Sequence, residues 1–112
     1  MSKKKLDPIH PGQILFEEFL EPMGISQQRL AEDISVSIQS INDIVQGKQA
    51  IMADMALRLG RYFGMSAKLW LNLQGHYDLD VAQETLSNRL AQEVKPYVAP
   101  KIDWVMTSQF EI

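Results

Sequence analysis

An all-α fold is predicted for this chain of 112 residues, and three observations carry the prediction. Apolar residues recur three and four positions apart through about 65 residues from His10 onward, the spacing of helices with one buried side. Serine, proline and glycine stand between these stretches, where helices start and stop. Nothing in this region alternates at period two, so no sheet is expected there. Five helices joined by connections of only a few residues make a bundle.

The first helix begins at Pro11, whose missing N–H would be unpaired in a first turn anyway. Leu15, Phe16, Phe19 and Leu20 give it an apolar face, Glu17, Glu18 and Glu21 a wet one, and Pro22 and Gly24 close it. Ser26 suits the N-cap of the second helix, whose buried side is Leu30, Ala31 and Ile34. Ser37 caps the third. There Ile38, Ile41 and Val45, with Ile44 beside them, line an apolar side, and Gly47 ends the helix in a left-handed conformation. The fourth runs from Ala53 to Phe63, with Ala53, Ala56, Leu57, Gly60 and Phe63 on one side, and Gly64 stops it. Ser66 opens a fifth, from Ala67 to about Gln74, carrying Leu69, Trp70 and Leu73. Beyond Tyr77, the spacing of Leu79, Ala82, Leu86, Leu90 and Val94 predicts a separate sixth helix with a narrow apolar seam, before Pro96 and Pro100 break regular structure.

The expected organisation is a basic arm over residues 1–9 with Lys3 to Lys5, a helical domain over 10–80, and a C-terminal helix and tail over 81–112. The tail keeps Ile102, Trp104, Val105, Met106, Phe110 and Ile112, and a segment this apolar either folds back or meets another chain.

Composition narrows the classes of function. With 46% apolar residues the chain builds one small core, and no apolar run approaches a membrane span. The start, MSKKKLDPIH, has no apolar stretch of the kind a secretory signal needs, and cysteine is absent. A cytoplasmic location is therefore expected, without disulfides, thiol catalysis or cysteine-held metal. The net charge is −3, and between Ser26 and Lys48 the charged residues are only Arg29, Glu32, Asp33, Asp43 and Lys48. One such module neutralises few phosphates, so a single copy is expected to bind DNA poorly, and two copies on a symmetric site are the expected remedy if DNA is the target.

The third helix has two unlike faces. Gln39, Asn42, Asp43 and Gln46 recur at i, i+3, i+4, i+7 on a side that is polar with a single charge. A merely solvated face usually shows Glu and Lys; amides offer a donor and an acceptor together, as reading base edges in the major groove requires. The second and third helices have the dimensions of a helix-turn-helix, in which the first crosses the phosphate backbone and the second lies in the major groove. Gln27 and Gln28 open the first, where free N–H groups and side-chain amides meet a phosphate. Gln39 is placed to pair with adenine N6 and N7. Ile38 addresses a thymine methyl or belongs to the core. Asp43 accepts from cytosine N4 or repels phosphates and excludes wrong registers. Ser37, Ser40 and Lys48 are candidate phosphate contacts.

The run SQQRLAEDISVSIQSINDIVQGKQ resembles the helix-turn-helix of the phage-repressor (Cro/C1) family. The wider blocks HPGQILFEEFLEPMGIS, IMADMALRLGRYF and WLNLQGHYDL resemble the HigA branch of antitoxins, or addiction-module antidote proteins, from about His10 to Asp80. The resemblance implies a five-helix phage-repressor-like domain and a homodimeric repressor of its own operon, bound to a palindromic double-stranded DNA operator. It also implies a partner toxin of the HigB type, related to the RelE fold and cleaving messenger RNA. By family position, Ile38, Gln39, Asn42 and Asp43 face bases, with Gln27, Ser37, Ser40, Gln46 and Lys48 near phosphates. Ser35 stands where the family's turn usually carries glycine, which costs on the order of 1 kcal/mol if the backbone is left-handed. Met52 replaces a threonine that often caps the fourth helix, a cap worth about 1 kcal/mol.

The remaining candidates have plainer readings. Trp70 is expected in the core with its N–H tied to a neighbour. Neither His10 nor His76 has a carboxylate or hydroxyl at a recognisable catalytic spacing, and the six glycines are scattered rather than forming a phosphate loop. No enzyme activity, cofactor or metal is expected. The alternatives to a DNA-binding antitoxin are a solitary repressor and an antidote that mainly masks a toxin. The acidic balance and apolar tail favour the last, because an acidic surface steers a basic partner.

Overall fold

The computed structural model describes residues 7–98, so the expectations for Lys3 to Lys5 and for the tail from Pro100 onward lie outside the described residues. Among the described residues there are five helical elements and no strand. Helix α1 occupies residues 11–23 and changes register twice: Pro11–Ile14 is α, Leu15–Leu20 is π, and Glu21–Met23 returns to α. The wider π register precedes Pro22, whose ring clashes with the carbonyl four residues back in an ordinary helix. Helices α2 (Gln27–Ile34), α3 (Ile38–Val45) and α4 (Ala53–Phe63) follow, and α5 (Ala67–Glu93) is the last helix among the described residues.

The expected starts and stops are in place. Ser26 Oγ accepts from the Arg29 N–H, Ser37 Oγ from Ser40, and Ser66 Oγ from Lys68. Gly24, Gly47 and Gly64 are left-handed, and so is Ser35, with φ of 61°. Met52 makes no side-chain cap. The one change in element boundaries is at the end: the expected fifth and sixth helices are a single helix. No proline or cap interrupts the run through Gly75 to Tyr77, and a lone glycine costs a helix only about 1 kcal/mol.

The helices close around Leu15, Leu20, Leu30, Ile34, Ile41, Ile44, Ile51, Leu59 and Trp70. Phe19 lies between Phe63 and Trp70, with ring centroids 4.9 and 5.1 Å away. Three expectations for side chains are corrected. On α4, Leu57 is 65% exposed and Leu59 takes its place in the core. The two lie over half a turn apart, and the face met by α5 decided between them. Ile38, at the start of α3, is 50% exposed rather than part of the buried side. Trp70 is fully buried, but its indole N–H has no hydrogen-bond partner among the described residues. No described helix is long and apolar enough to cross a membrane.

Candidate nucleic-acid interface

Helix α3 is held from behind at three points. Its apolar side, Ile41 and Ile44, is fully buried. At its C-terminal end the backbone of α1 comes so close that a Cβ on Gly12 would lie 1.7 Å from the Ile44 carbonyl oxygen. Only glycine permits that approach. The N-terminus of α1 is itself capped by His10, whose Nδ1 accepts from the Gly12 N–H at 2.9 Å. The His10 ring stands edge-on to Tyr77 at 4.9 Å, and partial burial lowers its pKa from the ordinary value despite the opposing pull of Asp78.

The loop after α3 is held by Gln74. This buried side chain accepts the Ile51 N–H through Oε1 at 2.8 Å and donates through Nε2 to Asp78 at 3.0 Å. The turn between α2 and α3 is held by α4. Arg58 Nη1 donates to the Ile34 and Ser35 carbonyls at 2.7 and 3.4 Å, and its Nε pairs with Asp54. These carbonyls end α2 and have no intrahelical donor, so the guanidinium caps the helix and fixes the left-handed turn. One turn on, the Tyr62 hydroxyl donates to Asp33 at 2.7 Å. Accepting that hydrogen bond, the Asp33 carboxylate pushes the Tyr62 hydroxyl above its ordinary pKa.

With α3 so fixed, its other face points outward. Gln39 and Gln46 are exposed, while Asn42 and Asp43 are half-buried at its border. Asn42 Nδ2 donates to Gln27 Oε1 at 3.3 Å, which joins the opening of α2 to the middle of α3. Gln39 Nε2 donates to Asp43 Oδ1 at 2.9 Å. At the start of α3, Ser37 Oγ donates to Ser40 Oγ at 3.0 Å, next to exposed Ile38. Gln28 is exposed and its amide reaches Glu32 at 3.4 Å. Its N–H and that of Gln27 lie in a first turn, where no intrahelical acceptor exists. Gln46 sits at the far end, about 12 Å along the helix axis from Ile38, with Lys48 just beyond it.

The residues that steady this surface were not singled out from the sequence. Gln74 carried a usable signal: it falls four residues after Trp70 on the buried side of a helix, where an apolar residue is the norm. Arg58 carried only its spacing from Asp54, and Gly12 and His10 only their place at the start of the block HPGQILFEEFLEPMGIS. His76, whose surrounding sequence has no recognisable catalytic spacing, pairs with Asp80 one turn on at 3.2 Å, on an exposed surface. Among the described residues no group of three potential ligands gathers to hold a metal.

A helix-turn-helix family model matches residues 16–70, the stretch from α1 through the first turn of α5. Virulence-associated protein I of Dichelobacter nodosus is 51% identical over 82 residues, covering 73% of this chain and 76% of that protein. Antitoxin HigA-1 of Vibrio cholerae is 35% identical over 100 residues, covering 89% and 90% respectively. The solved structure of Pseudomonas aeruginosa antitoxin HigA with the higBA promoter superposes with a TM-score of 0.78 at 46% identity, covering 81% of this chain and 99% of that one. By sequence, fold and the placement of its turn and caps, the chain belongs to the HigA branch of antitoxins within the Cro/C1-type helix-turn-helix family.

Proposed function

We propose that the chain is a dimeric autorepressor and antitoxin that binds a palindromic operator in its own promoter and neutralises a HigB-type toxin. The observation that carries the DNA-binding half is the orientation of α3, whose aliphatic side is buried and whose amide-bearing side is open. In this reading Ile38, Gln39, Asn42 and Asp43 face the base edges. Gln27, Gln28, Ser37, Ser40, Gln46 and Lys48 meet phosphates. The relative solved with promoter DNA, Pseudomonas aeruginosa antitoxin HigA, supports DNA binding as such. Two copies set their α3 helices about 34 Å apart on one face of the duplex. Exposed Leu79 and Leu90 on the outer half of α5, with Val94 just past its end, supply apolar surface for contact between chains. The toxin-binding half is supported by the relative named as an antitoxin and by the net charge of −3, which complements a basic ribonuclease.

Gel shifts on the chain's own promoter test the DNA-binding half. Gln39→Ala costs about 1–3 kcal/mol of discrimination between operator and scrambled duplex. Lys48→Ala weakens both alike and makes the salt dependence shallower by about one unit of slope. Equal losses on both duplexes for Gln39→Ala remove direct readout by α3. Co-expression with the product of the adjacent reading frame tests the other half. Deleting residues from Lys101 onward abolishes protection from the toxin and spares DNA binding; full protection by the shortened chain removes the tail from the toxin site.

A further inference from the structure

The proposed reading surface carries an internal constraint on which bases it accepts. Gln39 and Asp43 stand one turn apart on α3, and the Gln39 amide nitrogen donates to the Asp43 carboxylate at 2.9 Å. An ionised carboxylate only accepts hydrogen bonds, so the amide nitrogen, and not the amide oxygen, must turn toward it. Gln39 then directs Oε1 away from Asp43. A glutamine free to rotate by half a turn reads donors and acceptors alike; one held in this way does not.

Resting on the DNA-binding reading above, we propose that Asp43 is a positioning residue that locks the Gln39 amide so that it selects a base with an exocyclic amino group. In the major groove adenine presents N6–H and cytosine N4–H as donors, whereas guanine O6 and thymine O4 are acceptors. Oε1 of the locked amide meets the first pair and is repelled by the second. The Asp43 carboxylate adds to the exclusion, since its own oxygens face unfavourably toward acceptor edges. The Gln39–Asp43 bond is exposed in the free protein, where water competes for it. Contact with a base expels that water and strengthens the bond when the selection is made.

The test is selection of the full-length chain against a pool of randomised duplex DNA, followed by affinity measurements on the enriched site and its single-base variants. The position read by Gln39 is the one whose preference disappears in Gln39→Ala. At that position the native chain favours adenine or cytosine by at least about tenfold over guanine and thymine. Asp43→Ala and Asp43→Asn flatten the preference there and leave other positions unchanged, because asparagine offers either end of its own amide. Asp43→Glu, which keeps the carboxylate, retains it. In a Gln39→Ala background Asp43→Ala changes nothing further at that position. Unaltered thermal melting of Asp43→Asn separates this role from a structural one.

A preference for guanine or thymine, or a preference that survives Asp43→Ala and Asp43→Asn, overturns the positioning role alone. So does a loss confined to a neighbouring position, which marks Asp43 as reading a base by itself. A native chain that enriches no sequence overturns the DNA-binding reading as well.

Discussion

Replacing Ser35 by glycine stabilises the protein. Ser35 holds φ of 61° and ψ of 48° at the end of α2, and it is the one non-glycine residue with positive φ among those described. For an L residue this conformation brings Cβ against the following carbonyl oxygen at a cost of about 1–2 kcal/mol. The contacts at this position come from the backbone: its N–H reaches the Ala31 and Glu32 carbonyls, and its own carbonyl accepts from Arg58. Glycine keeps all of them and removes the Cβ. Against that gain stands the greater freedom of glycine in the unfolded chain, about 0.4–1 kcal/mol. The difference leaves Ser35→Gly more stable by about 0.5–1 kcal/mol, which raises the melting temperature of a domain this size by about 2–8 °C. Thermal and urea unfolding followed by circular dichroism measure the change directly. The urea slope stays constant, because the surface exposed on unfolding is the same. Operator affinity also stays constant, since the turn that sets α3 against α2 is already in the geometry glycine prefers. A lower melting temperature for Ser35→Gly would falsify the assignment of strain to this turn.

Three further outcomes follow from the same geometry. Met52→Thr supplies the N-cap that α4 lacks and adds about 1 kcal/mol in urea unfolding, an effect absent in Met52→Ala. Gly12→Ala drives a Cβ into the Ile44 carbonyl and destabilises by about 1–3 kcal/mol or more; its operator affinity falls because α3 loses its seat, whereas an unchanged melt would show that α1 slides freely. His10 has a pKa lowered from its ordinary value of 6.5, first by burial, so the unfolded chain binds its proton more readily than the folded one. Its contribution is complete above about pH 6.5 and is lost as pH falls from there through the lower folded value, when Nδ1 can no longer accept from Gly12. His10→Asn keeps an N-cap acceptor but no titrating group, so its melting temperature falls less than the native chain's between pH 7 and pH 5. Parallel curves for the two proteins would place the acid sensitivity elsewhere.

The helix-turn-helix was legible because its signals are local. A serine two to three residues ahead of the N–H it caps, and a glycine just past a helix end, act within one turn of chain. So does an i, i+3, i+4 stripe, and these cues located α2, α3 and α4 almost to the residue. The two faces of α3 were legible for the same reason, since its apolar and amide-bearing residues differ in kind. Composition divides α5 into two helices where the backbone does not. Gly75 to Tyr77 weakens the apolar stripe, but a change of burial does not interrupt a backbone that still has every helical hydrogen bond available.

Taken alone, the order of residues determined where the chain turns, which sides of its helices are apolar, and which polar face α3 carries. Tertiary structure decided what lies against them. Leu59 rather than Leu57 enters the core, Gly12 admits the Ile44 carbonyl, Arg58 closes α2 from a distance of over twenty residues, and Gln74 fastens Ile51. Capping and periodicity depend on neighbours a fixed number of bonds away, so they are written into the chain. Close approach and long-range hydrogen bonds depend on which surfaces meet, and that is settled only when the whole core closes at once.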